Sequence, residues 1–182
     1  NQKARFCGDS PASRKLLLPA LALGMATMGI PCIYYGTEQA FDGAGGSDRY
    51  LREAMFGGEF GAFRSRHRHF FDEDGPVYRE LAKILAVRRD KIALRRGRQY
   101  LCRISGDGQH FGVPHLIGGQ MRSIVPWTRL FDDQEMLLAV NTDPEASRGA
   151  WVAVKRGILK FSDRLRCIYS SDEDRWARFC PS

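Results

Sequence analysis

Six charged residues lie close together just after an apolar run, and their side-chain types would suit acid–base chemistry. They are Glu38, Asp42, Asp48, Arg49, Arg52 and Glu53. Hydrolysis of a glycosidic bond uses two carboxyl groups, about 5 to 5.5 Å apart when configuration is retained, one as acid and one as nucleophile. One interpretation therefore pairs Glu38 with Asp42 or Asp48 as the reacting carboxyl groups.

The alternative interpretation is structural. Glu38 could accept hydrogen bonds from loop amides or pair with an arginine, while Asp42 and Asp48 shape turns. Arg52 could bind one of these carboxylates through two hydrogen bonds, or donate to sugar hydroxyls. Because no second strand end carries chemistry in this chain, the residues alone leave both interpretations open.

The elements that must position these residues begin with a helix. Ser10 followed by Pro11 is typical of a helix start, and the pattern predicts a helix over residues 11–28 that Gly29 ends. Pro19 predicts a kink or a late start. The apolar run 30–35 predicts a parallel strand covered on both faces, and the charged residues fall in the long loop 36–75 that follows it.

A second helix is predicted from Gly75-Pro76 to Gly97, and a different periodicity follows. Turn residues separate five short predicted strands, 99–105, 121–130, 135–141, 150–155 and 164–170. The fold class is therefore α/β plus all-β. We expect residues 1–97 to form part of an α/β barrel (helix, strand, helix) and residues 98–182 to form an antiparallel β-sandwich.

The net charge of +7 raises the possibility of nucleic-acid binding. The whole excess lies in residues 61–104, which hold twelve basic and five acidic groups. Since part of that stretch is an amphipathic helix and no aromatic residues alternate with the basic ones, a solvated helix face is the preferred explanation. Nucleic-acid binding stays a minor alternative.

Cysteine content and hydropathy narrow the class of protein further. The five cysteines are widely and irregularly spaced, which favours neither a disulfide framework nor a zinc site. We interpret Cys32 as a buried residue of the apolar strand, which weakly favours a reducing, cytoplasmic location. No apolar run is long enough to predict a transmembrane helix, so we expect no membrane partner.

Histidine and aromatic residues supply two further candidates. His67 and His69 form a His-x-His pair that could chelate a metal, although no carboxylate or cysteine stands at a ligand spacing. Trp127, Trp151 and Tyr169 could form a platform on which sugars stack, but aromatic residues on strands more often belong to the core.

One string carries a specific resemblance. Gly29-Ile30-Pro31-Cys32-Ile33-Tyr34-Tyr35-Gly36-Thr37-Glu38-Gln39 resembles the last barrel strand of the α-amylase family, glycoside hydrolase family thirteen. Later landmarks follow in the family's order: Arg52 to Met55 resembles the segment after that strand, Val77 to Gly97 the final barrel helix, and Glu135 to Thr142 the C-terminal sandwich. The resemblance covers nearly the whole chain.

The resemblance implies that the catalytic residues lie outside this sequence. In the family, a nucleophilic Asp, an acid Glu and a third Asp within a His-Asp pair come from earlier barrel strands, and none of these motifs occurs here. The sequence therefore looks like the C-terminal portion of such an enzyme. We expect the isolated chain to be inactive and to self-associate through the unpaired edges of its barrel strand.

The resemblance also implies the ligands. It places Glu38, Arg52 and Arg5 at the border of a cleft for an α-glucan or oligosaccharide, such as starch, maltodextrin, sucrose or trehalose. No cofactor is expected, and calcium, which is common in the family, would be held by a region absent from this chain. A carbohydrate-binding module without catalysis, centred on the sandwich and Trp151, is the alternative function.

Overall fold

The computed structural model describes residues 3–45, 47–56, 71–116, 118–154, 165–172 and 179–180. The chain divides into two compact units. The first contains Asn1–Gly24, Ile30–Ala82 and Pro144–Ala146, and the second contains Met25–Gly29, Lys83–Asp143 and Ser147–Ser182. The predicted domain boundary at residue 97 stays a prediction.

Helices and antiparallel strand pairs make up the described residues. The helices are α1 (Phe6–Asp9), α2 (Pro11–Lys15), α3 (Leu17–Ala26), α4 (Pro76–Asp90) and α5 (Ile92–Arg96), with a 3-10 turn at Asp48–Tyr50. The strands are β1 (Lys3–Ala4), β2 (Ala44–Gly45), β3 (Arg98–Leu101), β4 (Arg103–Ser105), β5 (Ile124–Phe131), β6 (Gln134–Asn141), β7 (Trp151–Ala153), β8 (Leu165–Arg166) and β9 (Phe179–Cys180). Neither a closed barrel nor a closed sandwich is formed by the residues that the structure describes.

The predicted first helix is present as two helices. The amide of Ser13 donates to Ser10 Oγ at 3.1 Å, which caps α2 as expected from the Ser-Pro pair. The helix breaks at Leu16, so Pro19 falls in the first turn of α3, where a missing N–H removes no intrahelical hydrogen bond. The prediction of a late start near Pro19 is therefore confirmed.

The predicted parallel strand over residues 30–35 is wrong. Residues 30–34 have no regular secondary structure, and turns begin at Tyr35. Ile30 is 98% exposed and Cys32 is exposed, so the expected burial of Cys32 is also wrong. A strand requires a hydrogen-bonded neighbour, and none of the described strands pairs with this segment. Self-association of the segment stays a prediction.

The short strands predicted after Gly97 are confirmed in part: the predicted strand 99–105 is divided into β3 and β4, and only residues 165–166 of the described part of the predicted strand 164–170 form a strand. β5 pairs with both β3 and β6, and the β5–β6 register runs from Ile124 opposite Asn141 to Phe131 opposite Gln134. The turn between them is Asp132-Asp133, with Asp132 at a φ of 51°. Aspartate tolerates this left-handed conformation better than most residues, which explains the turn signal in the sequence.

The core of the second unit forms where the end of α3 meets the sheet. Ala26, Leu94, Trp127 and Val140 are buried together. Arg129 is 1% exposed, and its guanidinium donates to the carbonyl oxygens of Ala26 at 2.8 Å and Gly97 at 3.0 Å. These bonds satisfy two main-chain acceptors, one in the last turn of α3 and one directly after α5.

Replacing Arg129 should therefore destabilise the protein strongly. Arg129→Ala removes both charge-assisted hydrogen bonds and should lower the free energy of unfolding by about 3 kcal/mol. Arg129→Lys should recover part of that loss. Urea unfolding followed by circular dichroism measures the change. The matched control is Arg122→Ala, because Arg122 is exposed and its Nε donates to Gln120; its effect should stay within about 0.5 kcal/mol. Equal effects at both positions would contradict the role of Arg129.

Glu135 on β6 carries a carboxyl group whose hydrogen-bonding capacity is not fully satisfied. Its Oε2 is buried and accepts no hydrogen bond. Burial raises the pKa of Glu135 above its ordinary value of 4.5. Burial also raises the pKa of the Cys102 thiol, and the charge of Glu135 adds to that effect. The folded protein therefore favours protonated Glu135.

This shift gives the stability a pH dependence of known sign. The folded carboxyl holds its proton more tightly than the unfolded one, so its stabilising contribution is present below the ordinary pKa and is lost as the pH rises through the folded pKa. Glu135→Gln should therefore gain stability relative to wild type between about pH 4 and about pH 7. Urea unfolding at both pH values tests this. Glu73→Gln, at an exposed position, should show no such change. A relative loss for Glu135→Gln would contradict the interpretation.

Candidate functional site

The charged segment predicted as a loop begins with tight turns in the first unit. The amide of Ala40 donates to the carbonyl of Thr37 at 3.0 Å, and the amide of Phe41 donates to the carbonyl of Gly36 at 2.8 Å. Gly36 has a φ of 81°, and a Cβ there would collide with the ring of Phe41. Glycine is therefore needed at the end of the apolar run.

A buried arginine holds this segment in place. Arg5 is 7% exposed, and its guanidinium donates to the carbonyl oxygens of Tyr35 at 2.8 Å and Leu51 at 2.5 Å. The guanidinium carbon also lies 5.1 Å from the ring centroids of Tyr34 and Phe41. These distances are typical of cation–π contacts. Arg5 thus joins both ends of the segment 35–51.

The same segment is pinned by a short sheet. β1 pairs antiparallel with β2, and Ala4 lies opposite Ala44. Ala4 directly precedes Arg5 in the chain. The amide of Arg5 also donates to the carbonyl of Gly43 at 2.9 Å. The main chain and the side chain of Arg5 therefore contact three separate points of the segment. The sequence showed Arg5 merely as a basic residue before a helix, with no signal for this role.

Glu38 is half-buried within these turns. Its Oε2 is buried and has no hydrogen-bond partner, and no ion pair of Glu38 occurs among the described residues. Neither the expected amide contact nor an arginine partner is therefore seen. Glu38 consequently has a buried acceptor that is unsatisfied.

The two aspartates of the segment have arginine partners. Asp42 is bound by Arg14, and Asp48 lies 3.4 Å from Arg52. The second pair is exposed, with 68% of the Arg52 side chain accessible. Exposed ion pairs of this kind contribute little to stability. The structure thus supports the structural interpretation of Asp42 and Asp48, and it brings Arg52 to the surface next to a carboxylate.

Glu53 is the least accessible carboxylate of the segment, with 0% of the residue exposed. A side chain at Gly43 would collide with its carboxylate and with the carbonyl of Tyr50. Gly43 therefore makes room for Glu53, a relation between distant positions that the sequence does not reveal. Such a buried group suits a structural role better than contact with substrate.

Two of the aromatic residues beside Arg5 are exposed. Tyr34 is 50% exposed and Tyr35 is 38% exposed, and their ring centroids lie 4.8 Å apart. Burial, followed by the charge of Tyr34, raises the pKa of Tyr35. The Tyr35 phenol therefore stays protonated at neutral pH and can donate a hydrogen bond.

The remaining sequence candidates are two histidines and the aromatic residues of the predicted strands. His67 and His69 lie outside the described residues. In the described part of the chain, no three His, Cys, Asp or Glu side chains converge as a metal site would require. A helix of the length and hydropathy needed to cross a bilayer is likewise absent from that part. Trp127 is 2% exposed and belongs to the core, whereas Trp151 is 65% exposed.

The segment thus offers hydrogen-bonding groups for a polar ligand. Arg52 and Tyr34 are exposed, and Glu38 is half-buried. Among the described carboxylates of the segment, Asp42 and Asp48 are each bound by an arginine and Glu53 has no exposed surface, so none of these three is well placed to complete an acid–nucleophile pair.

Comparison with known proteins points in one direction. The chain is 34% identical over 107 residues to an α-amylase of Streptomyces lividans, an alignment that covers 54% of this chain and 11% of that protein. The chain is related in sequence to part of an α-amylase. It spans about one tenth of that relative's length. No protein-family model matches the chain.

A solved structure gives a weaker likeness. The chain resembles an acarbose-soaked debranching enzyme of Nostoc punctiforme, with a TM-score of 0.47 and 16% identity. The match covers 77% of this chain and 22% of that enzyme. At that TM-score the likeness carries no argument about the fold.

The geometry predicts that Arg5 and Arg52 contribute differently to the stability of the protein. Arg5→Ala should lower the free energy of unfolding by about 3 kcal/mol, because two carbonyl acceptors lose a charged donor. It should also speed hydrogen exchange of the amides of residues 39–41. Arg52→Ala should cost less than about 1 kcal/mol and leave that exchange unchanged, since its ion pair is exposed.

Urea unfolding and hydrogen-exchange mass spectrometry measure the two effects on the full chain. Arg5→Lys separates charge from geometry, because lysine keeps the charge but not the planar fork. If Arg5→Ala leaves the exchange of residues 39–41 unchanged, Arg5 does not hold the segment.

Proposed function

We propose that the chain is the C-terminal portion of an α-amylase-like glycoside hydrolase or transglycosylase that acts on α-glucosidic bonds. The observation that carries the proposal is the identity of 34% over 107 residues with an α-amylase. The landmarks around Glu38, Arg52 and residues 77–97 support it, because they follow in the family's order along the chain. Starch, maltodextrins, sucrose and trehalose are the substrates that the resemblance suggests.

The reacting acid and nucleophile lie outside these 182 residues in this proposal. Glycoside hydrolysis needs two carboxyl groups that face the scissile bond. Asp42 and Asp48 are each bound by an arginine, and Glu53 has no exposed surface, so the described segment provides poor candidates for the second carboxyl group. Residues 1–97 would contribute to the barrel and residues 98–182 to the C-terminal sandwich.

Within the whole enzyme, Glu38 and Arg52 would contact sugar hydroxyls at the border of the cleft. Arg52 presents an exposed guanidinium, and Glu38 is half-buried and has no ion pair among the described residues. Arg5 would border the same region and hold its backbone, since its guanidinium already binds two carbonyl groups. Any calcium ion would be held by other parts of the enzyme.

The proposal predicts a difference between this chain and the longer protein that contains it. The purified 182-residue chain should release no reducing sugar from maltoheptaose. The longer protein, with its upstream sequence restored, should release sugar from maltoheptaose, starch, sucrose or trehalose, because it supplies both reacting carboxyl groups. Reducing-sugar or glucose release with time measures both.

Cellohexaose, which has β-linkages, serves as the control substrate and should not be cleaved. Sugar release by the 182-residue chain would show that catalytic residues lie within it. A folded longer protein that leaves all four α-glucosidic substrates intact would exclude the proposed class.

A further inference from the structure

Trp151 stands apart from the other described tryptophan. It is the first residue of β7 and lies opposite Ser105 of β4 in an antiparallel pair. It is 65% exposed, whereas Trp127 is 2% exposed. An indole ring left in water is unfavourable by itself, because a large apolar surface stays hydrated. Its exposure therefore calls for a physical explanation.

The indole ring of Trp151 lies against the turn that contains Gly108. A Cβ built on Gly108 would lie 3.4 Å from Cε2, 3.4 Å from Nε1 and 3.5 Å from Cδ1 of Trp151. Three nearly equal distances place that point over the face of the five-membered ring, since a point at the edge would be clearly nearer to Nε1. One ring face is therefore turned toward the turn. With 65% of the residue exposed, we assign the accessible surface to the other face.

The turn beneath the ring is held by one carboxylate. Asp107 Oδ1 accepts hydrogen bonds from Ser105 Oγ at 2.7 Å and from the amides of Gln109 at 2.8 Å and His110 at 2.9 Å. Its Oδ2 lies 2.7 Å from His110 Nδ1. The His110 side chain, followed by these other hydrogen bonds, holds the pKa of Asp107 well below its usual range.

This network fixes the backbone of the turn and the ring of His110. Because Nδ1 of His110 is engaged with Asp107, Nε2 is the ring nitrogen that remains for another partner. The side chains of Gln109 and His110 are exposed. The turn and the ring thus supply a supported aromatic face and exposed hydrogen-bonding side chains, which is the composition of a site for a ligand that is part apolar and part hydroxylated.

We propose that the face of Trp151, together with Gln109 and His110, binds a glucose unit of an α-glucan. The apolar C–H face of a pyranose would stack on the indole while its hydroxyl groups bond to the polar side chains. The choice of an α-glucan rests on the proposed function. Residues 105–110 contain an ionised aspartate and no lysine or arginine, which disfavours a nucleic acid.

Titration of the full 182-residue chain with maltoheptaose tests the proposal. Isothermal calorimetry should detect binding, and Trp151→Ala should weaken it by about tenfold or more, as expected for loss of a stacking contact. Trp151→Phe should retain part of the affinity. His110→Ala should weaken it by a smaller factor, because one hydrogen bond is lost.

Leu101→Ala is the matched control. Leu101 is 74% exposed on β3, so its truncation also removes exposed apolar surface, yet it lies outside the proposed site. Its affinity for maltoheptaose should equal that of wild type. Circular dichroism of every variant verifies that the fold is retained.

Three results would overturn the proposal. They are no detectable maltoheptaose binding by the folded chain, equal affinity of Trp151→Ala and wild type, and equal affinity of wild type for maltoheptaose and cellohexaose. Sedimentation separates a protein contact from a sugar site: a fall in self-association in Trp151→Ala without a change in sugar affinity would assign the face to a second copy.

The outcome is distinguishable from the outcome for the proposed function. That function is measured as bond cleavage by the longer protein, whereas this inference is measured as binding by the 182-residue chain. Trp151-dependent binding without cleavage by the longer protein would retain the site and exclude the enzyme.

Discussion

Main-chain carbonyl groups at the end of a helix must find donors, and buried arginines meet that constraint in this protein. The last turn of α3 leaves carbonyl oxygens without intrahelical partners. Arg88 donates to Met25 and Arg129 donates to Ala26, while the Trp127 indole lies 3.4 Å from the same Ala26 oxygen. An unpartnered buried carbonyl is costly, so the packing of the second unit depends on these side chains.

The first unit also contains main-chain carbonyl groups that need hydrogen-bond donors. There the carbonyl groups belong to turns rather than to a helix, and Arg5 reaches two of them while three aromatic rings surround it. The planar guanidinium suits both tasks, because it donates in its plane and stacks through its face. The two arginines near the candidate site thus differ in their exposure to solvent. Arg5 maintains the backbone, and the exposed Arg52 can face a ligand.

The sequence predicted the local features well. The Ser-Pro cap, the helix after Gly75-Pro76 and the strands on both sides of Asp132-Asp133 depend on neighbours within a few residues, and all are present. The burial of Arg5 and Arg129 was not predicted, since arginine in a sequence pattern indicates exposure. Period-two spacing predicted strands around both Trp127 and Trp151, but it could not show that Trp127 is buried and Trp151 is exposed. Their difference arises from what each strand packs against.

The candidate site was predictable to the same limited depth. Glu38, Asp42, Asp48 and Glu53 are equivalent in sequence, as acidic residues in a glycine-rich segment. Their surroundings separate them: two bind arginines, one fills the space that Gly43 leaves, and one keeps a buried oxygen without a partner. The Arg14–Asp42 pair and the Gly43–Glu53 packing join residues ten or more positions apart, and composition or periodicity does not encode them.

The string from Gly29 to Gln39 resembles a barrel strand in its sequence, yet it does not form a strand in this structure. Residues 30–35 are strong β-formers, yet the structure leaves Ile30 98% exposed and unpaired with any described strand. A parallel strand is stabilised by hydrogen bonds and side-chain contacts from neighbours distant in sequence, so its propensity counts for little when those neighbours are missing. The turns after Tyr35, by contrast, form from Gly36 and the contacts of Arg5 within the same unit. A string can therefore indicate kinship with α-amylases through its residues, while only the part with local partners takes a defined conformation here.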